Sequence, residues 1–389
     1  MFRQYLFVFS TLFLSVNTRA ATSDWEQAKN ELRTALQFVH NSNLYFQQSP
    51  VVSDQKVAAS VQYHWLGLFE GYALALPASI TSGRYAEESA LNSTDHQIAP
   101  ALKLFLSEAA DFTVQTSWQR ELLRAGFGKA EFLQPGAQSL TDDHKLLQFA
   151  LQLGRSPDKQ QLTLSAGRDL RQQTIQQQQN SPLLFTEQDT ELFTRQQANF
   201  VSANYGHKLS ENTSLLLQSE MRHEQQGTIP SKLYQLGAGW SSHYAGSQQF
   251  QLVAGQFRRD TAGQQSSGSY WQANNLWQIS RQWQLVLSSS RNSVLSYATG
   301  SVSQLETRSA LTLGYQWNDA HVTSLTASHG KARLDEQQIQ KTRQELALNW
   351  QWQPGSNWQQ QLQLQQARID QSGQDKTATE LFWQVSWLW

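Results

Sequence analysis

Two sets of side chains in this 389-residue chain could do chemistry. His40 and Ser42 are two residues apart, a spacing that places a hydroxyl nucleophile and a base on one face of a strand. The second set could hydrogen-bond or pair with a hydrated solute and consists of Lys103, Glu220, Arg222, Glu306, Arg308, Glu345, Gln361 and Gln363. The first pair would do covalent chemistry, whereas the second set would bind reversibly.

The segments around these residues alternate apolar and other side chains with a period of two. Leu311 to Trp317 and Leu346 to Trp352 place leucine and aromatic side chains on one face and mostly polar ones on the other. Val57 to Trp65 and Leu147 to Leu153 repeat the pattern. The segments extend to about ten residues, the length that a tilted membrane-spanning strand needs. We therefore predict strands with one apolar face and one polar face that bears the candidate residues.

The final segment, Leu381 to Trp389, alternates in the same way and places three tryptophans on one face. A face of this kind needs a partner that is apolar in its middle and polar at its rims, as outer-membrane lipid is. The ending resembles the carboxy-terminal strand of bacterial outer-membrane β-barrels, whose final aromatic residue is read by the barrel assembly machinery. We predict an assembly signal at Trp389 and a girdle on the periplasmic side built from Trp350, Trp352, Trp383, Trp387 and Trp389.

The other end of the chain has the pattern of a secretory signal. Arg3 precedes the apolar stretch Tyr5 to Val16, and Thr18-Arg19-Ala20 places small residues where signal peptidase requires them. We expect a signal peptide over residues 1–20, a short periplasmic segment over 21–31 and a β-barrel over 32–389. The chain has no cysteine, which excludes a disulfide framework and a lipid-anchored amino terminus.

Composition excludes two further classes. Only 39% of the residues are hydrophobic, mean hydropathy is -0.54, and no apolar run after the signal approaches the ~20 residues of a spanning helix. The chain is therefore not expected to be a helical membrane protein. A net charge of -1 provides no field to attract nucleic acid.

The connections between the alternating segments differ in length. Short links are Ser107 to Ala110, Ser156 to Asp158, Asn212 to Thr213, Ala245 to Ser247, Asn318 to Asp319 and Pro354 to Ser356. Longer polar links are Ser82 to Asp95, Phe127 to Thr141, Thr174 to Thr190, Asp260 to Ser269, Ser293 to Ser303 and Gln371 to Lys376. In outer-membrane barrels the short turns are periplasmic and the long loops are outside.

These links predict an all-β, transmembrane, antiparallel up-and-down β-barrel of about eighteen strands in the outer membrane of a Gram-negative bacterium. Sixteen strands would result if two weak segments near Leu192 and Leu233 were merged or lost. Barrels of sixteen to eighteen strands leave an aqueous lumen. The candidate lining residues carry both signs of charge, and an ion-selective pore concentrates one sign. We therefore expect a passive pore for a hydrated, hydroxyl-rich solute, although the lumen of any porin must be polar.

The start of the mature chain resembles a known family. Ser42-Asn43-Leu44-Tyr45 follows an early strand, as in the β-barrel porins encoded with exopolysaccharide export systems, although His40-Asn41 stands where an acidic pair is commoner. The resemblance implies an exit pore for a surface or extracellular polysaccharide. It also implies a partner, a periplasmic polysaccharide export protein that lacks a membrane-spanning segment of its own.

Three alternatives remain open from the sequence. A general or oligosaccharide uptake porin would need the same polar lumen, and an adhesin or structural barrel would use the long loops. The spacing of His40 and Ser42 resembles that of outer-membrane phospholipase, but no third group is evident to orient the base, and Ser42 would face lipid. We therefore predict no enzyme activity and no catalytic, metal or cofactor-binding residue.

Overall fold

A computed structural model describes Trp25 and residues 28–45, 51–124, 137–154, 160–177, 195–244, 247–295, 303–334, 340–371 and 374–389. Across these ranges the chain forms strands and one short 3-10 helix, Ser89–Leu91. The strands are β1 Lys29–Asn41, β2 Asp54–Phe69, β3 Tyr72–Tyr85, β4 Ser93–Ile98, β5 Ala101–Ser107, β6 Ala110–Arg124, β7 Ala137–Leu153, β8 Gln160–Gln177, β9 Arg195–Ser210, β10 Thr213–Gln226, β11 Ile229–Tyr244, β12 Gln248–Thr261, β13 Gln264–Gln278, β14 Trp283–Leu295, β15 Ser303–Asn318, β16 His321–Leu334, β17 Gln340–Trp352, β18 Trp358–Gln371 and β19 Gln374–Leu388.

The strands form one closed antiparallel sheet. Apart from β4 and β5, which both pair with β3 and β6, each strand pairs with the next along the chain, and β19 pairs with β1, where Trp383 lies opposite Phe38. Closure lets paired strands satisfy one another's backbone N–H and C=O groups, which a lipid environment requires. The segment near Leu233 is a full strand, β11. Residue 192 lies outside the described ranges.

One membrane span is divided into two strands. Both β4 and β5 lie between β3 and β6, and the chain between them is Ala99-Pro100. Pro100 has no N–H to donate to the ladder, although its carbonyl accepts a hydrogen bond from the Thr116 N–H at 3.0 Å. Because β4 and β5 form one span, the barrel has eighteen spans, as predicted from the sequence.

Alternation along the strands gives the barrel two chemically distinct faces. The outward face carries large exposed apolar side chains, such as Val201, 60% exposed, and Leu236, 68% exposed. The opposite, inward face is mostly polar: Gln361 and Gln363 flank the outward Leu362 on β18. In the described residues, no helix is both long and apolar enough to span a membrane.

The two rims differ in the length of their connections, with two corrections to the predicted loops. Asp260 to Ser269 is not a loop, because β12 and β13 pair up to Thr261 and Gln264 and only Ala262 and Gly263 form the turn. Both turn residues have positive φ, 50° and 86°, as tight hairpins require. Likewise Gln371 to Lys376 lies mainly in β18 and β19, since Gln371 pairs with Gln374.

The corrected segments are polar on both faces, which is why their strand character was missed. Gln264-Gln265-Ser266-Ser267-Gly268-Ser269 shows no apolar alternation because this end of the hairpin extends toward the loop rim. A strand needs an outward apolar face only where it crosses hydrocarbon. Residues 1–24, 125–136, 155–159 and 178–194 lie outside the described residues, so most of the predicted loops Phe127 to Thr141 and Thr174 to Thr190 and the predicted short link Ser156 to Asp158 are not described.

Candidate pore lining

All eight predicted lining residues lie on the inward face. Their orientation follows from their neighbours on the same strand: Glu345, for example, is adjacent in β17 to the outward Leu346, which is 50% exposed. Gln361 donates to Asn349 Oδ1 at 3.1 Å, and Gln363 donates to Gln365 Oε1 at 3.0 Å. Amide side chains on neighbouring inward positions therefore form a hydrogen-bonded layer on the wall. Contact with a solute stays a prediction for these residues.

Lys103 is held against the wall. Its Nζ lies 3.1 Å from Asp111 Oδ2, and both side chains are buried. The ammonium also lies 5.8 Å from the centre of the Phe105 ring. Because its charge is neutralised by a buried carboxylate, Lys103 contributes little net charge to the lumen.

Three pairs of arginine and glutamate recur with the same spacing on inward faces. Arg222 lies 2.8 Å from Glu220 on β10, and Arg308 lies 3.2 Å from Glu306 on β15. Residues two apart on a strand point the same way, so their long side chains can meet above the wall. The pairing leaves the arginines accessible, since the Arg222 and Arg308 side chains are 26% and 28% exposed. On β17 the same contact joins Glu345 to Arg343 at 2.8 Å, a partner that the sequence reasoning missed.

A buried network continues from Arg222. Its Nε lies 3.9 Å from Glu224, which forms an ion pair with Arg259 on β12. Arg259 is only 1% exposed and also donates to the hydroxyl of Ser231 at 3.0 Å and the hydroxyl of Ser293 at 2.8 Å. The period of two along β10 would have placed Glu224 beside Arg222, but nothing local in the sequence joins either residue to Arg259.

A third polar cluster lies between β7 and β8. His144 Nε2 lies 2.9 Å from Asp169 Oδ1, and Arg171 Nε lies 3.5 Å from the same oxygen. Asp142 accepts a hydrogen bond from the buried Gln173. The sequence reasoning missed this cluster because β8 was assigned from its outward leucines alone. Within the described part of the chain, no group of His, Asp and Glu could hold a metal ion.

The wall is interrupted between β13 and β14. Their backbone pairing ends at Trp271 and Arg291, although β13 begins seven residues earlier, at Gln264, and β14 continues to Leu295. Arg259 spans this seam from β12, since its guanidinium also donates to the Ser293 carbonyl at 3.2 Å. Phe257 and Tyr270 are buried beside the seam, with Leu233 and Val253. The seam, defined by the unpaired ends of β13 and β14, is therefore closed by side chains.

The motif Ser42-Asn43-Leu44-Tyr45 has a structural role at the loop rim. Leu44 and Tyr45 are buried with Leu91 of the 3-10 helix, and the Tyr45 hydroxyl donates to Glu88 at 2.8 Å. Burial and this hydrogen bond raise the pKa of Tyr45. The Ser42 hydroxyl accepts the Thr379 N–H at 2.9 Å. The motif thus holds the segment after β1 against the 3-10 helix and against β19.

Of the five predicted girdle tryptophans, Trp350, Trp352, Trp387 and Trp389 lie at or near strand ends on the rim with short turns, whereas Trp383 lies in the body of β19, opposite Phe38. Trp350 and Trp352 point outward, and Trp352 packs edge-on against Trp358 with ring centres 4.9 Å apart. Trp383 and Trp387 are outward on β19, and Trp389, 73% exposed, donates from its indole to Thr34 at 3.2 Å. The anchoring and assembly roles of these residues stay predictions.

Solved structures show the same fold. OpdK from Pseudomonas aeruginosa, solved with vanillate, is 13% identical with a TM-score of 0.52, over 93% of this chain and 99% of that one. OccK2 (OpdF) from the same organism, in complex with glucuronate, is 12% identical with a TM-score of 0.53, over 93% and 98%. OprD from Pseudomonas aeruginosa is 11% identical with a TM-score of 0.50, over 94% and 98%. Neither a protein-family model nor a curated protein sequence matches this chain significantly.

The chain thus has the fold of outer-membrane β-barrel porins. The closed sheet, its exposed apolar outer face and its aromatic rim require a lipid bilayer, and barrels of this kind reside in the outer membrane of Gram-negative bacteria. The matched structures are outer-membrane proteins rather than enzymes, in agreement with the prediction of no enzyme activity. The expected association with exopolysaccharide export receives no support from these comparisons.

Proposed function

We propose that this barrel is a passive channel for the uptake of small hydrophilic solutes that carry a carboxylate. The observation that carries the proposal is the pair of accessible arginines on the inward face, Arg222 and Arg308, each oriented by a glutamate two residues before it. A guanidinium offers a planar fork of donors that matches a carboxylate. The adjacent glutamate weakens that attraction, which favours release as well as entry.

Two of the matched structures support this choice of solute. OpdK was solved with vanillate and OccK2 with glucuronate, and both compounds are small carboxylates. Elsewhere on the inward wall, Gln361 and Asn349 supply amide donors and acceptors that suit the hydroxyl groups of such solutes. Amides and paired charges do not make a pore that discriminates strongly between simple ions.

The test uses purified protein in liposomes, with uptake of labelled glucuronate and of glucose measured side by side. We expect glucuronate to enter faster, and the variant with Arg222→Gln and Arg308→Gln to slow its entry by about tenfold while glucose is unaffected, since a charge-assisted hydrogen bond contributes ~1.5–3 kcal/mol. Arg258→Gln, an exposed outward arginine, is the control and should change neither rate.

Polysaccharide export makes a different prediction in cells. If the barrel exports a polymer, deletion of the gene should abolish a surface polysaccharide while its synthesis in the cytoplasm continues. Retention of every surface polysaccharide, together with lost growth on a small organic acid, would support uptake. Loss of the polymer with unchanged glucuronate entry would contradict the proposal and favour an exit pore that works with a periplasmic export protein.

A further inference from the structure

The outward face of the barrel has an uneven distribution of charge. Toward the loop rim, exposed charged side chains replace apolar ones: Lys145 and Arg168 on one side, Lys331 and Arg368 on the other, where Arg368 forms an ion pair with Asp375. In the opposite half, outward positions of the described strands hold aromatic and aliphatic residues and no lysine or arginine. One boundary of the apolar band is therefore cationic and the other is aromatic.

A groove crosses the outer wall just below these cations. Outward positions that hold leucine or tryptophan elsewhere are occupied by small residues, and Ala273, Ser289 and Ser309 lie side by side on β13, β14 and β15. Leu311 and Leu346 line the edge toward the membrane centre, and the space measures about 1120 Å³. The groove is long and open, with an apolar side and a polar side.

Two cations lie in the row next to the groove on its loop-rim side, two residues beyond the lining residues Ser289 and His329. The Arg291 guanidinium lies over the Trp271 ring at 5.4 Å, and its Nε has no hydrogen-bond partner among the described residues. Lys331 shares a row with Arg291, because each lies opposite Thr307 on β15. Two strand spacings separate them by roughly 10 Å. In the part of the chain that the structure describes, neither cation forms an ion pair.

Below Arg291 the groove presents hydroxyl groups. The Trp271 indole donates to the Ser289 hydroxyl at 3.1 Å, and that hydroxyl lies 3.1 Å from the hydroxyl of Ser309. Hydroxyl groups on a lipid-facing wall are matched better by ester and sugar oxygens than by hydrocarbon.

We propose that this groove binds one phosphorylated and acylated lipid of the lipid A type. Arg291 and Lys331 would hold a phosphate, Ser289 and Ser309 would contact the sugar or ester oxygens, and an acyl chain would lie along Leu311 and Leu346. Charge complementarity favours this occupant, since a phosphate meets two free cations. A second copy of the chain is disfavoured, because a two-fold contact would bring the same cations together.

The experiment measures binding of radiolabelled bisphosphorylated lipid A to folded protein in detergent micelles. The variant with Arg291→Gln and Lys331→Gln should bind about tenfold more weakly, because both charge-assisted contacts are lost. The control variant, with Lys145→Gln and Arg168→Gln, removes the same amount of charge from the cationic boundary on the other side of the barrel. It should bind lipid A like the wild type. Equal weakening in both variants would show a diffuse charge effect and overturn the proposed site.

A second variant tests the groove while keeping its cations. Ser309→Trp fills the space between Ala273 and Leu311, and it should weaken lipid A binding as strongly as the loss of the two charges. Folding is verified for every variant by the heat-modifiable band on cold gels. If the wild type is oligomeric, and Ser309→Trp makes it monomeric without changing lipid A binding, a second copy occupies the groove and the proposal is wrong.

Discussion

Arginine has two roles in this lumen, and burial distinguishes them. Arg222 and Arg308 are partly exposed and can contact a solute, whereas Arg259 is enclosed by Glu224, Ser231 and Ser293. A buried charge is tolerated only when paired and hydrogen-bonded. Arg259 therefore stabilises the barrel wall and is not placed to contact a solute in the lumen.

Replacement of Arg259 by alanine should destabilise the barrel. The change leaves the Glu224 carboxylate buried without its cation, a loss of roughly 3–5 kcal/mol. Urea unfolding in lipid vesicles, followed by tryptophan fluorescence, measures the difference. The neighbouring Arg258 is exposed and outward, so Arg258→Ala should shift the midpoint little. Equal shifts would mean that the network around Arg259 adds no stability.

At the scale of elements, alternation predicted strands and faces because side-chain direction is a local property. Val57, Leu348 and Trp383 are outward, as their alternating segments indicate. What could not be predicted depends on register. Arg259 forms an ion pair with Glu224, which is 35 residues away in the sequence. No local sequence pattern around either residue indicates that the two are in contact. The tip of the β12–β13 hairpin was missed for a different reason, since it has no apolar face to detect.

The two faces of β17 should respond oppositely to charge. Leu348 is outward, so Leu348→Arg should cost roughly 2–4 kcal/mol if the residue lies near the bilayer midplane. Asn349 is inward beside Gln361, so Asn349→Arg should leave folding almost unchanged. The yield of heat-modifiable barrel in the outer membrane gives the comparison. Similar losses for the two variants would contradict the assigned faces.

At the scale of the whole molecule, the rims define an orientation. The start of β1 and the end of β19 lie at the rim with short turns, where Trp389 bonds to Leu32, and the cationic boundary lies toward the other rim. This arrangement fits a membrane whose outer leaflet is the more anionic one. The strand number was predicted from the sequence, whereas the cationic boundary and the seam were not, because they depend on the facing of single residues and on how far two strands remain paired.

Cysteine labelling tests the orientation directly, since the chain has no native cysteine. Thr228 lies in the exposed β10–β11 turn at the loop rim, and Asp319 lies in the β15–β16 turn at the opposite rim. On intact cells, a membrane-impermeant maleimide should label Thr228→Cys and spare Asp319→Cys. Both variants should react after the outer membrane is opened. The reverse labelling pattern on intact cells would show that the barrel has the opposite orientation in the membrane.

The seam between β13 and β14 leaves a short open edge in the closed sheet. Over Gln264 to Tyr270 the β14-facing side of β13 has no strand beside it, so its backbone groups could template another chain. The residues there are glutamine, serine and glycine, none of them β-branched, and only the last position is aromatic. Such a sequence pairs weakly with a foreign strand. The polar composition of this hairpin tip therefore protects the barrel from edge-to-edge aggregation.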